Sequence, residues 1–192
     1  MLFSEHRFMH NDARYGSIEV ICGSMFSGKT EELIRRMRRA QLARLDVAVF
    51  KPRTDTRYHA ADVISHDSNS LRSKPINHAS DILSLDSSIR VVGIDEAQFF
   101  DDGLPGVCNT LANQGIRVIV AGLDMDFKGR PFGPIPALMA IAEHVTKVHA
   151  VCMQCGAPAN YSFRIADNDE KLLLGERESY EPRCRVCFYQ LV

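Results

Sequence analysis

The octapeptide GSMFSGKT, residues 23–30, decides how this chain must be read. It has the form G-x-x-x-x-G-K-[ST], and its neighbours suit it. Residues 17–22, SIEVIC, form a short β-branched apolar run, and residues 31–44 carry Leu33, Met37, Ala40 and Arg44 at helical spacing. Strand, glycine loop and helix in that order form a phosphate cradle. Gly23 and Gly28 permit backbone angles that turn successive amides inward, and the helix N-terminus adds positive potential. Lys29 is placed to reach the outer phosphates and Thr30 to offer a hydroxyl to Mg²⁺. Gly23, Ser24, Met25, Phe26, Ser27, Gly28, Lys29 and Thr30 are therefore the candidate ATP-binding residues.

Outward from the loop, residues 47–50, 91–94 and 116–121 are further apolar runs, continuous rather than alternating, as expected of parallel strands covered on both faces. Helical stretches over 79–85 and 104–114 supply crossovers, which predicts a doubly wound α/β sheet. The run at 91–94 ends in GIDEAQFF, residues 93–100. Such strands deliver functional groups at their carboxyl ends, so Asp95 is expected to hold Mg²⁺ through water together with Thr30. Side chains alternate along an extended chain, which turns Glu96 towards whatever attacks the γ-phosphate and makes it the candidate general base. The box alone leaves open whether the attacker is water or a substrate. The competing structural reading makes both acids helix caps, a role for which Asp101 and Asp102 are better placed.

Charge narrows the partners. The chain of 192 residues has 23 basic and 24 acidic side chains, a formal net charge of −1, so nothing global draws it to a nucleic-acid backbone or an anionic membrane. Arg35, Arg36, Arg38 and Arg39 are expected to lie mostly on a solvated helix face beside Glu31 and Glu32. No run has signal-peptide character or the roughly 20 apolar residues of a membrane span, so a cytoplasmic location is expected.

Four of the six cysteines fall in two C-x-x-C pairs, Cys152 with Cys155 and Cys184 with Cys187. Two such knuckles can place four thiolates around structural Zn²⁺, the favoured reading over disulfides or an iron–sulfur cluster. Their separation exceeds the roughly 15–20 residues of a usual zinc ribbon, so the metal would pin a long loop at both ends, suited to act as a lid. Between the sheet and this lobe lies GLDMDFKGRPFGP, residues 122–134. Its Leu123, Phe127 and Phe132 are either core plugs or the rim of a pocket for a flat aromatic ligand. In the lobe, alternation puts Ser162 and Arg164 on one face and Tyr161 and Phe163 on the other.

With MFSGKTEELIRR, DEAQFF, GLDMDF, PFGP and YEPRCRVC in this order, residues 18–189 closely resemble the zinc-containing thymidine kinases shared by many bacteria and animal cytosol. The resemblance implies a P-loop, RecA-like, mostly parallel sheet with a small C-terminal zinc-ribbon-like lobe, whose lasso loop closes over thymidine, usually in a homotetramer. It divides the chain into a mobile arm (1–16), a nucleotide-binding α/β domain (17–150) and a lasso lobe (151–192). By the same resemblance, Glu96 takes the proton of the 5′-hydroxyl. Met25, Phe99, Leu123, Phe127, Phe132, Tyr161, Ser162 and Tyr180 form the expected substrate-contacting set, Arg57 of DTRY approaches the ATP phosphates, and dTTP is the expected feedback inhibitor. The position of Ser162 is often threonine in relatives. The arm has no clear family counterpart, and the regulatory tail of the animal enzyme is lacking after Cys187.

The rival expectation is a zinc-bearing P-loop ATPase acting on nucleic acid. It calls for basic patches, a second motor domain and an arginine finger, and length and charge count against it. A non-catalytic ATP-binding regulator would have no need of Glu96 beside Asp95.

Overall fold

The computed structural model describes residues 16–53, 62–64, 70–165 and 179–190. The expected arm up to residue 15, Arg57, and residues 166–178 of the expected lasso lie outside the described residues.

The chain begins with β1 (Ser17–Gly23), buried along its whole length, and turns through the glycine loop into α1 (Lys29–Leu42). There follow β2 (Val47–Pro52), a small antiparallel pair β3 (Asp62–Ile64) and β4 (Ser70–Arg72), β5 (Lys74–Ile76), a 3₁₀ turn Ala79–Leu83, and β6 (Val91–Ile94). A second 3₁₀ turn, Ala97–Phe99, leads to α2 (Leu104–Asn113), β7 (Arg117–Gly122), α3 (Ile135–Ile141) and β8 (His144–Val148). The lobe contains β9 (Ala150–Val151), β10 (Pro158–Ala159), β11 (Tyr161–Arg164), β12 (Tyr180–Arg183) and α4 (Arg185–Tyr189).

Six strands form one sheet in the order β5-β2-β6-β7-β1-β8, every pairing parallel. Alternation on β1 explains the two layers. Ile18, Val20 and Cys22 join a core shared with Leu104 and Leu111 of α2 and Leu138 of α3, whereas Ile21 joins Leu33, Ile34, Met37 and Ala40 of α1. The outcome is the expected doubly wound P-loop α/β fold, with β7 inserted between the loop strand β1 and the carboxylate strand β6.

Three details depart from the sequence reading. The stretch 79–85 is no crossover helix but the short 3₁₀ turn, with Ala79 and Ile82 buried beneath it. The sheet gains edge strands β5 and β8, whose polar residues hide them from an apolar-run search. Arg36 does not join the solvated face. It is 8% exposed, and its guanidinium donates to Glu19 on β1 at 2.7 Å, to Glu32 at 2.8 Å and to Thr146 on β8 at 3.0 Å. Glu19 also accepts from Arg117 Nε at 2.5 Å. The exposed Arg35 and Arg38 do face solvent. Among the described residues no helix is long and apolar enough to cross a membrane.

Candidate active site

The loop is a strained piece of backbone held from both ends. Gly28, at φ 84°, caps α1, and Phe26 also takes a positive φ, 62°. Gly23 sits at φ 148°, and a Cβ there would stand 2.2 Å from the carbonyl oxygen of Val148 at the end of β8. Inside the loop, Ser27 Oγ and Lys29 Nζ each donate to the Ser24 carbonyl at 2.7 Å. This packs the loop into a tight ring opening on the first turn of a 14-residue helix, where amides and dipole favour anions.

At the carboxyl end of β6, Asp95 is 6% exposed. Thr30 Oγ1 donates to its Oδ2 at 3.2 Å, and the Glu96 amide donates to its Oδ1 at 3.0 Å. Burial first, and the neighbouring Glu96 second, push the Asp95 carboxyl from its ordinary 3.8 up to about 7. A buried acid carboxyl facing a threonine hydroxyl beside a phosphate loop is a hard, oxygen-only donor set of the kind that suits Mg²⁺. Glu96 itself adopts the left-handed conformation, φ 49° and ψ 40°, a strain of about 1–3 kcal/mol for a residue with a Cβ. The kink follows directly on the strand, which ends at Ile94, and leads into the Ala97–Phe99 turn.

Gln98 lies within the candidate site, and the sequence reading passed it over. Buried to 3% exposure on the Ala97–Phe99 turn, it donates from Nε2 to Glu96 Oε2 at 2.5 Å and accepts the Leu123 amide at Oε1 at 2.9 Å. The only sequence signal was its place two residues past the carboxylate.

Leu123 opens a loop that is folded on itself. Asp126 accepts the amides of Lys128 at 2.8 Å and Arg130 at 2.9 Å, Phe132 N–H donates to the Asp124 carbonyl at 3.1 Å, and Lys147 of β8 pairs with buried Asp124 at 2.7 Å. Phe132 meets Phe99 edge-on, ring centroids 5.7 Å apart. The Arg164 guanidinium lies 3.6 Å over the Phe127 ring and donates to the Tyr180 hydroxyl at 2.6 Å. Phe99, Leu123, Phe127 and Phe132 are half-buried and stand outside the buried core clusters.

The lobe reaches the phosphate loop directly. Ser162 Oγ accepts the Met25 amide at 3.0 Å, and Ser24 Oγ donates to the Ala159 carbonyl at 3.3 Å. Tyr161, one residue along β11, faces away from Ser162. It stacks on Phe188 at 4.5 Å and meets Tyr189 edge-on at 5.6 Å, filling the lobe rather than joining the other expected substrate-contacting side chains.

Cys152, Cys155, Cys184 and Cys187 converge, all four sulfurs lying within 4.8 Å of one another. Cys155 Sγ and Cys184 Sγ are 3.7 Å apart, close to the roughly 3.8 Å edge of a tetrahedron with Zn–S bonds of about 2.3 Å. None is in a disulfide. The donor set fits structural zinc, with all four ligands supplied by the chain.

Fold and site together define a P-loop nucleotide-binding α/β protein with an appended four-thiolate lobe. The model of the thymidine kinase family matches residues 16–188. A thymidine kinase of Bacteroides fragilis is 63% identical over 188 residues, covering 98% of this chain and 94% of its own. One of Porphyromonas gingivalis is 59% identical over 180 residues, covering 93% and 88%, and one of Bdellovibrio bacteriovorus is 52% identical over 186 residues, covering 96% and 90%. The chain belongs to the thymidine kinase family.

Proposed function

We propose that this chain transfers the γ-phosphate of ATP to the 5′-hydroxyl of deoxythymidine, giving dTMP and ADP. The observation that carries the reading is the position of Glu96 between phosphate loop and aromatic loop. Its carboxylate is tied through Gln98 to Leu123, the first residue of the half-buried rim, rather than standing over open water.

The residues divide the work. Gly23–Thr30 amides and Lys29 bind the triphosphate and absorb its charge. Thr30 and Asp95 would hold Mg²⁺, which when bound neutralises charge on the phosphates. Met25, Phe99, Leu123, Phe127, Phe132, Ser162 and Tyr180 hold the nucleoside and exclude water, with Tyr161 supporting β11 from behind. The 5′-oxygen attacks phosphorus in line while Glu96 accepts its proton, and the bond from phosphorus to the bridging oxygen breaks, releasing ADP. Zinc takes no part in the chemistry. It staples the lobe that carries Ser162 to the phosphate loop.

The same reading carries a cytoplasmic salvage role, a homotetramer, dTTP feedback, an approach of Arg57 to the phosphates, and a boundary near residue 150 between nucleotide-binding domain and lobe. The family resemblance supports the first four. The boundary rests on the pairing of β9 with β10 and of β11 with β12, outside the six-stranded sheet.

The test is transfer. Incubation of labelled ATP with a panel of nucleosides should place label on thymidine. Label found only in inorganic phosphate, or a Glu96→Gln variant with full activity, would overturn the proposal.

A further inference from the structure

The catalytic proposal gives no task to Gln98, a buried polar side chain beside its base. Gln98 is only 3% exposed, and a primary amide is costly to bury unless its groups are paired. Its partners are informative. A backbone N–H can only donate, so the contact with the Leu123 amide must be made by the Gln98 oxygen, at 2.9 Å. That fixes the flip of the amide and leaves the NH₂ end aimed at Glu96 Oε2, 2.5 Å away, where the carboxylate accepts. The loop amide alone fixes the orientation, and the acceptor-only carboxylate agrees with it.

Two further features make this a clamp rather than an incidental contact. Glu96 stands at φ 49°, so the strand cannot aim its side chain by ordinary extended geometry, and something beyond the backbone must hold it. The adjoining Phe99 of the same turn meets Phe132 of the same loop edge-on, 5.7 Å between centroids, and Phe132 N–H bonds back to the Asp124 carbonyl at 3.1 Å. The turn that bears Gln98 and the loop that opens at Leu123 are thus joined at two places.

We propose that Gln98 is a positioning residue: its carboxamide locks one oxygen of Glu96, fixes the direction in which the other is presented, and couples that direction to the seating of the Leu123 loop. This rests on Glu96 being the base. Displacement of a base by about 1 Å can cost on the order of 10²-fold in rate, and a coupled base would be aligned only when the nucleoside-side loop is in place. Gln98 acts through Glu96 and touches no reacting atom.

The experiment is a double-mutant cycle on the full chain, with ATP and thymidine. Gln98→Glu keeps an oxygen for the Leu123 amide but replaces the donor facing Glu96 with a like charge, and Gln98→Met removes both bonds at similar volume. Each is made alone and with Glu96→Gln, and ATP affinity and melting temperature report whether the loop and fold survive. The expected result is a kcat lowered roughly 30- to 100-fold in both single variants, thymidine KM changed less than about threefold, and little further loss in the Glu96→Gln background, because residues acting as one unit are non-additive. Unchanged kcat, or the same fold-loss with and without Glu96, overturns the positioning role. A fully active Glu96→Gln single variant instead removes the base itself, and the two failures are told apart by that one protein.

Discussion

The Ser162 hydroxyl accepts the Met25 amide at 3.0 Å across 137 residues of sequence, so a side chain of the four-thiolate lobe holds the phosphate loop. Removing that acceptor forfeits about 1–1.5 kcal/mol and frees the loop at the residue shared by both expected substrates. Ser162→Ala should raise KM for thymidine and for ATP, each about five- to tenfold, whereas Ser162→Thr, which keeps the oxygen, should stay within twofold of the parent. Steady-state kinetics with each substrate varied in turn decides it; an Ala variant altered for neither substrate contradicts the link.

Asp95 is held against its own charge. Its folded value of about 7 lies above the ordinary 3.8, so the stability contributed by the neutral carboxyl is complete below about pH 3.8 and is lost as pH rises through 7. Asp95→Asn, neutral at every pH, should therefore melt above the parent by a margin that is small at pH 4, grows to about pH 7 and then levels off. The same variant should lose most of its kinase activity. Melting scans without nucleotide or metal at pH 5 and pH 8 provide the check, and equal margins at both would refute the burial argument.

A buried charge network should be intolerant of partial removal. Glu19 is 3% exposed and takes both Arg36, itself 8% exposed, and Arg117. Glu19→Ala leaves Arg36 buried with one carboxylate partner fewer, a change that costs about 3–5 kcal/mol in comparable pairs. Arg35→Ala, on the exposed side of α1, should cost under about 0.5 kcal/mol. Urea unfolding of both variants makes the comparison, and similar midpoints would mean that the network contributes nothing.

Chelation should act on the lobe first. β9 to β12 are short pairs, and around the cysteines their apolar cluster is small, Ala150, Cys152 and Ala159 with a few partners, so beside the Tyr161–Phe188–Tyr189 stack the four thiolates should supply much of the cohesion. Hydrogen exchange after zinc removal should quicken at residues 150–164 and 179–190 before it does in β1 or β7, with kinase activity falling alongside. Protection lost evenly over the whole chain would show that the lobe is no separate unit of stability.

Much of this was legible in the sequence because it is local. GSMFSGKT, the Asp95–Glu96 pair and the cysteine knuckles announce themselves within eight residues or fewer, and the strands with continuous apolar runs were found where β1, β2, β6 and β7 stand. What escaped depends on partners distant in sequence. β8, HVTKV, is an edge strand with one face partly in solvent, so its composition carries no buried-strand signature. Arg36 reads as one of four surface arginines until β1 brings Glu19 beneath it. Gln98 lies in plain view after Glu96, yet its meaning comes from an amide 25 residues further on. Tyr161 went the other way: strand alternation had already set it opposite Ser162, and the aromatic residues of α4 supply the cluster that takes it in.

The carbonyl of Val148 pressed against Gly23 bears on how such motifs are read from families of sequences. With 2.2 Å between that oxygen and any Cβ, the first glycine of the phosphate loop is demanded by the neighbouring strand whether or not a nucleotide ever binds. A variant library scored only for folded, soluble protein should already deplete every side chain at position 23, while Lys29, which is only half-buried and is proposed to serve the phosphates, should tolerate exchange better in that screen and fail chiefly when catalysis is scored. One motif would then answer to two separate demands, architecture at its first letter and, on the proposed function, chemistry at its seventh.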